Sequence, residues 1–122
     1  MQYLILGAGR MARGLVHFLV ERDSSAKIKV VDVSPKRSRD LAKRFRTKRV
    51  TAGKLDLEDR KAVRRALKNV DVALSAAHYR FNDMLTDEAA RTKTHLVDLG
   101  GNNDVVASQL KRNAAVAKKK VT

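Results

Sequence analysis

Five short segments with the pattern of strands alternate along the chain with five amphipathic segments. The first is an apolar run that predicts a buried strand, the second is β-branched and alternating, and the third is weaker because Gly53 interrupts it. In the segments between them, apolar residues recur at helical spacing, and the basic residues are expected to face outward. The predicted strands are Gln2–Leu6, Lys27–Val33, Lys48–Asp56, Val70–Ala76 and His95–Leu99; the predicted helices are Arg10–Glu21, a helix that starts at Ser34-Pro35, Glu58–Lys68, Phe81–Arg91 and Asp104–Lys118.

This alternation predicts an α/β fold with a doubly wound parallel sheet. Right-handed crossovers would place helices on both faces of the sheet, giving three layers, α/β/α, with an expected strand order of 3-2-1-4-5. The 122 residues have the size of one domain, so we expect a single domain over residues 1–122. Val121-Thr122 stands where a sixth strand would begin, which predicts that the domain belongs to a longer protein.

A glycine motif lies between the first predicted strand and the first predicted helix. Gly7-Ala8-Gly9-Arg10-Met11-Ala12 fits G-x-G-x-x-G/A, the phosphate-binding turn of Rossmann domains. Gly7 would permit the tight turn, and Gly9 would let the backbone approach a pyrophosphate. The amides around Arg10 and Met11 would point at that anion from the helix N-terminus. The motif therefore predicts a dinucleotide-binding domain.

Asp32 gives a second signal, twenty residues after Ala12 at the end of the second predicted strand, and we assign it to the cofactor site together with Val33. A carboxylate there can bond the ribose hydroxyls of the adenosine half and repel a phosphate on that ribose. The alternative is that Asp32 only opens the turn into the next helix. Asp32 favours NAD, whereas Lys36 and Arg37 just beyond it would suit NADP.

The remaining candidates follow the later strands. Asp56 would accept a hydrogen bond from the adenine amino group or, alternatively, cap the helix that starts near Glu58. His78 has the residue type for acid or base chemistry, but a solvated loop histidine is the simpler interpretation. No catalytic residue and no metal site is assigned. The other candidates are Ala76 and Ala77 after the fourth strand, where the dinucleotide would cross the sheet edge, and Gly101 and Asn102 after the fifth, where the nicotinamide would lie.

Taken together, these segments resemble the cofactor domain of the saccharopine dehydrogenase family, closest to its lysine dehydrogenase-like branch. The resemblance rests on Met1–Arg13, the Asp32 turn, Leu55-Asp56, Ser75-Ala76-Ala77 and, above all, Thr94–Asn102. It implies hydride transfer between NAD(P) and a carbon–nitrogen bond of an amino acid. It also implies roles for the candidates: Gly7, Gly9, Arg10 and Met11 would hold pyrophosphate, Asp32 ribose and Asp56 adenine, while Ala76, Ala77 and His78 would line the crossing and Gly101 and Asn102 would face the reaction centre.

The resemblance also sets limits. Members of the family continue into a substrate and dimerisation domain, so we expect this chain to bind the cofactor without catalysing a reaction alone. An amino-acid substrate would need that second domain, and the apolar face it would cover suggests a homodimer. The alternative is a nucleotide-sensing regulatory module of the kind found in potassium channels and transporters, which also begins with a Gly-x-Gly-Arg turn.

The net charge of +14 is unusual for a cofactor domain. It raises the question of a nucleic-acid partner, but the basic residues are spread over several predicted helices, and solvated helix faces explain that spread better. Cysteine is absent, which excludes disulfides and thiolate metal sites. No signal peptide and no apolar run long enough for a membrane span is found, so a cytoplasmic protein without membrane contact is expected.

Overall fold

The computed structural model of the chain describes residues 1–122 and contains one five-stranded parallel sheet with helices on both faces. The strand order is β3-β2-β1-β4-β5, which confirms the doubly wound α/β prediction. The strands are β1 (Gln2–Leu6), β2 (Lys27–Asp32), β3 (Val50–Lys54), β4 (Val72–Ser75) and β5 (His95–Asp98); the helices are α1 (Arg10–Arg22), α2 (Pro35–Lys43), α3 (Arg60–Leu67), α4 (Asn82–Thr92), α5 (Asn103–Leu110) and α6 (Asn113–Lys118), with a 3₁₀ turn at Tyr79–Phe81.

The central strand β1 pairs with β2 on one side and with β4 on the other. Leu6, its last residue, is in register with Val31 of β2 and with Ser75 of β4. The chain leaves β1 toward β2 and later returns to β4, so the strand order reverses between β1 and β4. In open parallel sheets a crevice forms beyond the carboxyl ends of the strands at this point. The glycine motif therefore opens directly onto the crevice.

Two aliphatic core clusters lie on opposite faces of the sheet. Because side chains alternate along a strand, Leu4 and Leu6 point to the face covered by α3 and α4, and Ile5 points to the face covered by α1 and α2. All three are at most 1% exposed. This two-sided burial is what makes β1 a continuous apolar run, and it anchors the loop that follows.

The helix starts follow capping chemistry. The Ser34 side chain accepts a hydrogen bond from the Arg37 backbone N–H, at 3.3 Å, and Pro35 opens α2 as predicted. The helix expected to start at Glu58 instead begins at Arg60, because the Asp59 side chain accepts the Ala62 N–H at 3.0 Å. The capping alternative for Asp56 is therefore wrong.

The helix predicted over Asp104–Lys118 is two helices, α5 and α6, separated at Lys111 and Arg112. The Arg112 guanidinium reaches α4, where its Nε lies 2.7 Å from Asp87 and its Nη1 lies 3.0 Å from Asp83. This clamp holds the break against α4. After α6 the chain runs beside β5, where Leu96 N–H donates to the Thr122 carbonyl at 2.8 Å.

A buried carboxylate joins α3 to α4. Glu88 is 0% exposed, and its oxygens lie 2.6 Å from Arg60 Nε and 2.6 Å from Arg64 Nε. The hydrogen bond from Arg64 is the main reason that the pKa of Glu88 falls to about 2, although burial opposes the shift. These two arginines were expected to face solvent; they are about half exposed, and their guanidinium groups also contact this buried acid. No helix of the chain has the length and apolar character needed to cross a membrane.

Candidate dinucleotide-binding site

Gly7 makes the turn out of β1, and two observations show why glycine is needed there. Its φ angle is +101°, a conformation that residues with a Cβ atom rarely adopt. A Cβ atom at this position would also lie only 3.1 Å from the Ala76 carbonyl oxygen. The turn therefore brings the glycine loop into close contact with the end of β4.

The first turn of α1 presents unpaired backbone donors. Gly9 is the N-terminal cap of the helix and supplies no side-chain acceptor. The N–H groups of Gly9, Arg10, Met11 and Ala12 donate to no acceptor within the protein. A Cβ atom at Gly9 would contact only the Arg37 side chain, at 3.7 Å, so the space above this glycine is open. Free donors beneath open space at a helix N-terminus form an anion site.

Asp32 connects the glycine loop to the end of β2. One carboxylate oxygen accepts the Ala8 N–H at 2.9 Å, and the other accepts the Ser34 N–H at 2.8 Å. The side chain is half-buried and therefore positions both loops at the cleft. Asp32 does act on the turn that leads into α2, and it also holds the glycine loop after β1, a contact that the sequence did not predict.

These loops surround a cleft of about 440 Å³ at the carboxyl ends of β1, β2 and β4. Among the candidates from the sequence, those lining the cleft are Gly7, Gly9, Asp32, Val33, Asp56, Ala76 and Ala77. Arg10 instead lines an adjoining cleft on the other side of the loop, and Met11 is 59% exposed on α1. The structure thus brings together candidates from the four loops that follow β1, β2, β3 and β4.

Several residues that the sequence did not assign to the site also line the cleft. Leu57 and Phe81 pack against the core and form an apolar wall. Arg80 and Glu58 form an ion pair of 2.6 Å, and the Arg80 guanidinium lies 4.1 Å from the Phe81 ring centre. These side chains come from the loops after β3 and β4, and their meeting depends on the sheet order.

Arg37, which the sequence analysis names as a residue that would suit NADP, also lines the cleft. It lies in the first turn of α2, lines both the main cleft and the adjoining one, and makes no ion pair with any acid of the chain. Asp56, across the cleft, is exposed and accepts the Glu58 N–H at 2.9 Å within its own turn. Its second oxygen makes no hydrogen bond with the protein.

The candidates expected near the nicotinamide end lie outside this cleft. His78 Nδ1 accepts the Arg80 N–H at 3.1 Å, so His78 caps the 3₁₀ turn. Asn102 caps α5 by accepting the Val105 N–H, also at 3.1 Å. Gly101, with φ +109°, packs against Tyr79, since a Cβ atom there would lie 3.5 Å from the Tyr79 ring. The loops after β4 and β5 are therefore in contact with each other beside the cleft.

Two buried polar atoms near the same end lack partners. Ser75 Oγ, at the end of β4, and Asn82 Oδ1, at the start of α4, make no hydrogen bond within the protein. Buried polar groups are normally paired with protein, water or ligand. No cluster of three His, Asp or Glu side chains that could hold a metal ion is present.

A comparison with protein families identifies the family of the chain that forms this cleft. The family model described as the saccharopine dehydrogenase NADP binding domain matches residues 3–122. The chain belongs to this family. This confirms the resemblance inferred from the glycine motif and from the segment after β5, and it does not favour the regulatory alternative. The chain is a nicotinamide dinucleotide-binding domain of the saccharopine dehydrogenase type.

Solved structures agree with the family match. Apo saccharopine dehydrogenase (L-Glu forming) from Saccharomyces cerevisiae has a TM-score of 0.85 at 25% identity, over 99% of this chain and 26% of that protein. The chain thus spans about a quarter of that relative's length.

Two further structures share the fold. Triphenylmethane reductase from Citrobacter sp., complexed with NADP(H), has a TM-score of 0.69 at 13% identity, covering 98% of this chain and 46% of that one. A short-chain dehydrogenase/reductase from Veillonella parvula, in complex with NADP, has a TM-score of 0.61 at 16% identity, covering 80% of this chain and 46% of that one.

Proposed function

We propose that this domain binds NADP in preference to NAD. The observation that carries the proposal is the position of Arg37, which lies over Gly9 at the cleft and is not paired with an acid. Arginine can bond a phosphate with two parallel N–H groups, so Arg37 suits the phosphate that distinguishes NADP from NAD. The family description, which names NADP, supports the same choice. The proposal replaces the preference for NAD that Asp32 suggested in the sequence.

The state of Asp32 supports this choice. In NAD-specific Rossmann domains a carboxylate at this position bonds the ribose hydroxyls and disfavours a phosphate. Here both carboxylate oxygens already accept backbone N–H groups, which spreads their negative charge over the Ala8 and Ser34 peptides. Arg37 lies three residues beyond Ser34, and its positive charge compensates the negative charge of Asp32. Asp32 therefore acts on the loops, and Arg37 selects the cofactor.

The residues fit the rest of the dinucleotide. The free N–H groups of Gly9, Arg10 and Met11 would hold the pyrophosphate, and Asp56 would accept from the adenine amino group. The apolar wall of Leu57 and Phe81 would pack against the adenine ring. Ala76, Ala77 and His78 would line the crossing toward the loop of Gly101 and Asn102. When bound, the nicotinamide supplies the hydride chemistry, and this domain holds it in place.

We further propose that the domain serves an oxidoreductase that acts on a carbon–nitrogen bond of an amino acid. The family supports this proposal, as does the similarity to the yeast saccharopine dehydrogenase, of which this domain covers about a quarter. Residues 1–122 would bind the cofactor, and a second domain would hold the amino acid. No group on this chain is placed as catalytic, so the isolated chain would bind NADP without turnover. The cytoplasmic location and the homodimer expected from the sequence remain predictions.

The test compares NADPH and NADH binding to the wild-type chain and to Arg37→Gln by fluorescence titration. A hydrogen-bonded charge pair contributes about 1.5–3 kcal/mol, so we expect NADPH affinity to fall about tenfold to a hundredfold. NADH affinity should change by less than about threefold, since NADH lacks the phosphate. Arg39→Gln is the matched control, because Arg39 is exposed on the same helix and lines no part of the cleft. Tighter binding of NADH by the wild-type chain would overturn the proposal.

A further inference from the structure

Four arginines converge on the face formed by α1 and α2. Arg10 and Arg13 come from α1, and Arg37 and Arg44 come from α2 and its C-terminal end. They line two adjoining clefts of about 380 and 720 Å³, which share Arg10, Arg13 and Arg44. We call this continuous surface the arginine groove. It begins at Gly9, beside the dinucleotide cleft, and leads away from it.

The four arginines of the groove are free of acidic partners. Three other arginines are bound to acids: Arg60 and Arg64 bind Glu88, and Arg112 binds Asp83 and Asp87 of α4. In the groove, the only lining acid is Asp40, and its carboxylate pairs with Lys36 at 2.8 Å. The charge of this face is thus available to an external ligand.

The dinucleotide accounts for only one end of the groove. Its pyrophosphate would occupy the N-terminus of α1, and the phosphate of NADP would engage Arg37. The remaining groove continues past Arg13 to His17 and Phe45. On α1 the distance from Arg10 to His17 is about 10 Å at 1.5 Å per residue. That length exceeds what one small anion fills and matches a chain of regularly spaced phosphates.

We propose that the arginine groove binds the phosphodiester backbone of single-stranded nucleic acid. Arginines along the groove would bond successive phosphates, as in grooves that track a single strand without reading its sequence. The far cleft has room for a base: a Cβ atom at Gly14 would meet nothing within 4 Å, and the Phe45 ring lines the same cleft. The sequence alone favoured solvated helix faces; the fold adds the convergence of four unpaired guanidinium groups in one groove.

The test measures the anisotropy of a short fluorescein-labelled oligothymidylate with three proteins. These are the wild-type chain, the double variant Arg13→Gln/Arg44→Gln, and the control Lys61→Gln/Arg65→Gln. The control removes the same charge from exposed positions on α3, in the opposite helix layer. Arg13 and Arg44 lie outside the dinucleotide cleft but share the adjoining cleft with Arg37. Thermal unfolding and NADH binding, which needs no phosphate at Arg37, therefore report that the double variant is folded and intact.

We expect the wild-type chain to bind the oligonucleotide and the groove variant to bind about tenfold more weakly, with the control within about twofold. The slope of log affinity against log salt should be smaller in the variant by about 1.4, since each single-strand phosphate contact contributes about 0.7. Equal losses in both variants would overturn the proposal, because binding would then follow net charge. Absence of oligonucleotide binding at about 50 mM salt would also overturn it.

Two competition arms separate this proposal from the proposed function. In the first arm, saturating NADPH is added to the bound oligonucleotide. If NADPH displaces the oligonucleotide and the groove variant binds the oligonucleotide as tightly as the wild-type chain does, the oligonucleotide occupies the dinucleotide cleft. The groove proposal then fails, and the proposal of NADP binding stands. If polyglutamate of equal charge displaces the oligonucleotide as well as unlabelled oligothymidylate does, the groove takes acidic polypeptides and the nucleic-acid proposal fails. Retention against polyglutamate supports the proposal.

Discussion

Asp32 binds the backbone N–H of Ala8 across a distance of 2.9 Å, so the end of β2 holds the glycine loop that follows β1. The same carboxylate holds the Ser34 N–H at 2.8 Å, at the entrance to α2. One side chain thereby positions the two loops that carry the free amides of α1 and the Arg37 guanidinium. We therefore propose that Asp32 acts on the cofactor through the backbone of these two loops.

Replacing Asp32 with alanine tests this relationship. We expect NADPH and NADH to lose affinity by similar factors, because the loop that would hold their shared pyrophosphate is released. The free energy of unfolding should fall by about 1–3 kcal/mol, since two half-buried N–H groups lose their acceptor. Titration with both cofactors and urea denaturation measure the two effects.

Asp104→Ala is the control for Asp32, because it removes the same charge from an exposed position on α5. If Asp32 instead bonds the ribose of the cofactor directly, Asp32→Ala should lower the affinity for NADH alone. The affinity for NADPH would then stay unchanged or increase, which would contradict the role assigned here.

Gly7 and Gly9 belong to one motif, but replacing each with alanine should have a different effect: loss of stability at Gly7 and loss of dinucleotide affinity at Gly9. At Gly7 the positive φ angle and the Ala76 carbonyl, 3.1 Å from a Cβ atom, should destabilise the fold by about 1–3 kcal/mol. At Gly9 the backbone is extended and the nearest atom belongs to the flexible Arg37 side chain, 3.7 Å away. Gly9→Ala should therefore fold normally and lose dinucleotide affinity, because the methyl group would stand where the pyrophosphate approaches.

The measurements for this pair are thermal unfolding without ligand and NADPH titration. Gly14→Ala serves as the control, because Gly14 lies within α1 and a Cβ atom there meets nothing within 4 Å. It should raise stability by up to about 1 kcal/mol. Equal stability of the Gly7 and Gly9 variants would contradict the separate roles assigned to the two glycines.

The sequence predicted the fold because its strands and helices alternate and β1 is buried on both faces. Such burial makes β1 an apolar run, β2 shows alternating β-branched residues, and the glycine motif fixes where the first strand ends. The strand order and the positions of the first four helices followed from the α/β alternation. The break near Arg112 could not be predicted in this way, since the helix pattern continues through it and the clamp depends on Asp83 and Asp87, which lie more than twenty residues earlier.

Most candidates after the first four strands line one cleft, whereas His78, Gly101 and Asn102 lie outside it. Gly7, Gly9 and Asp32 belong to a motif with a fixed spacing, so their convergence follows from local sequence. Arg80 and Phe81 reach the cleft only because β4 lies next to β1, and nothing in their own sequence indicates a ligand. His78 and Asn102 act as caps in this structure, and their roles toward a cofactor remain predictions.

Glu88 gives a prediction about pH. The pKa of its carboxyl is about 2 in the folded chain and 4.5 in its ordinary state, chiefly because Arg64 bonds the charged form. Because the folded pKa is the lower one, the stabilisation is complete above pH 4.5 and is lost as the pH falls toward 2. The shift corresponds to about 3 kcal/mol, which solvent around the half-exposed arginines reduces to about 2 kcal/mol.

Glu88→Gln should therefore lower the free energy of unfolding by about 2 kcal/mol at neutral pH and by much less near pH ~2, where the wild-type carboxyl is itself protonated. Urea denaturation of both proteins across this range measures the difference. Glu21→Gln, at an exposed position of α1 without an ion pair, controls for the general effect of acid on the chain. A Glu88→Gln difference that stays constant across the range would show that the buried carboxylate contributes packing to the contact between α3 and α4, and that its charge contributes nothing.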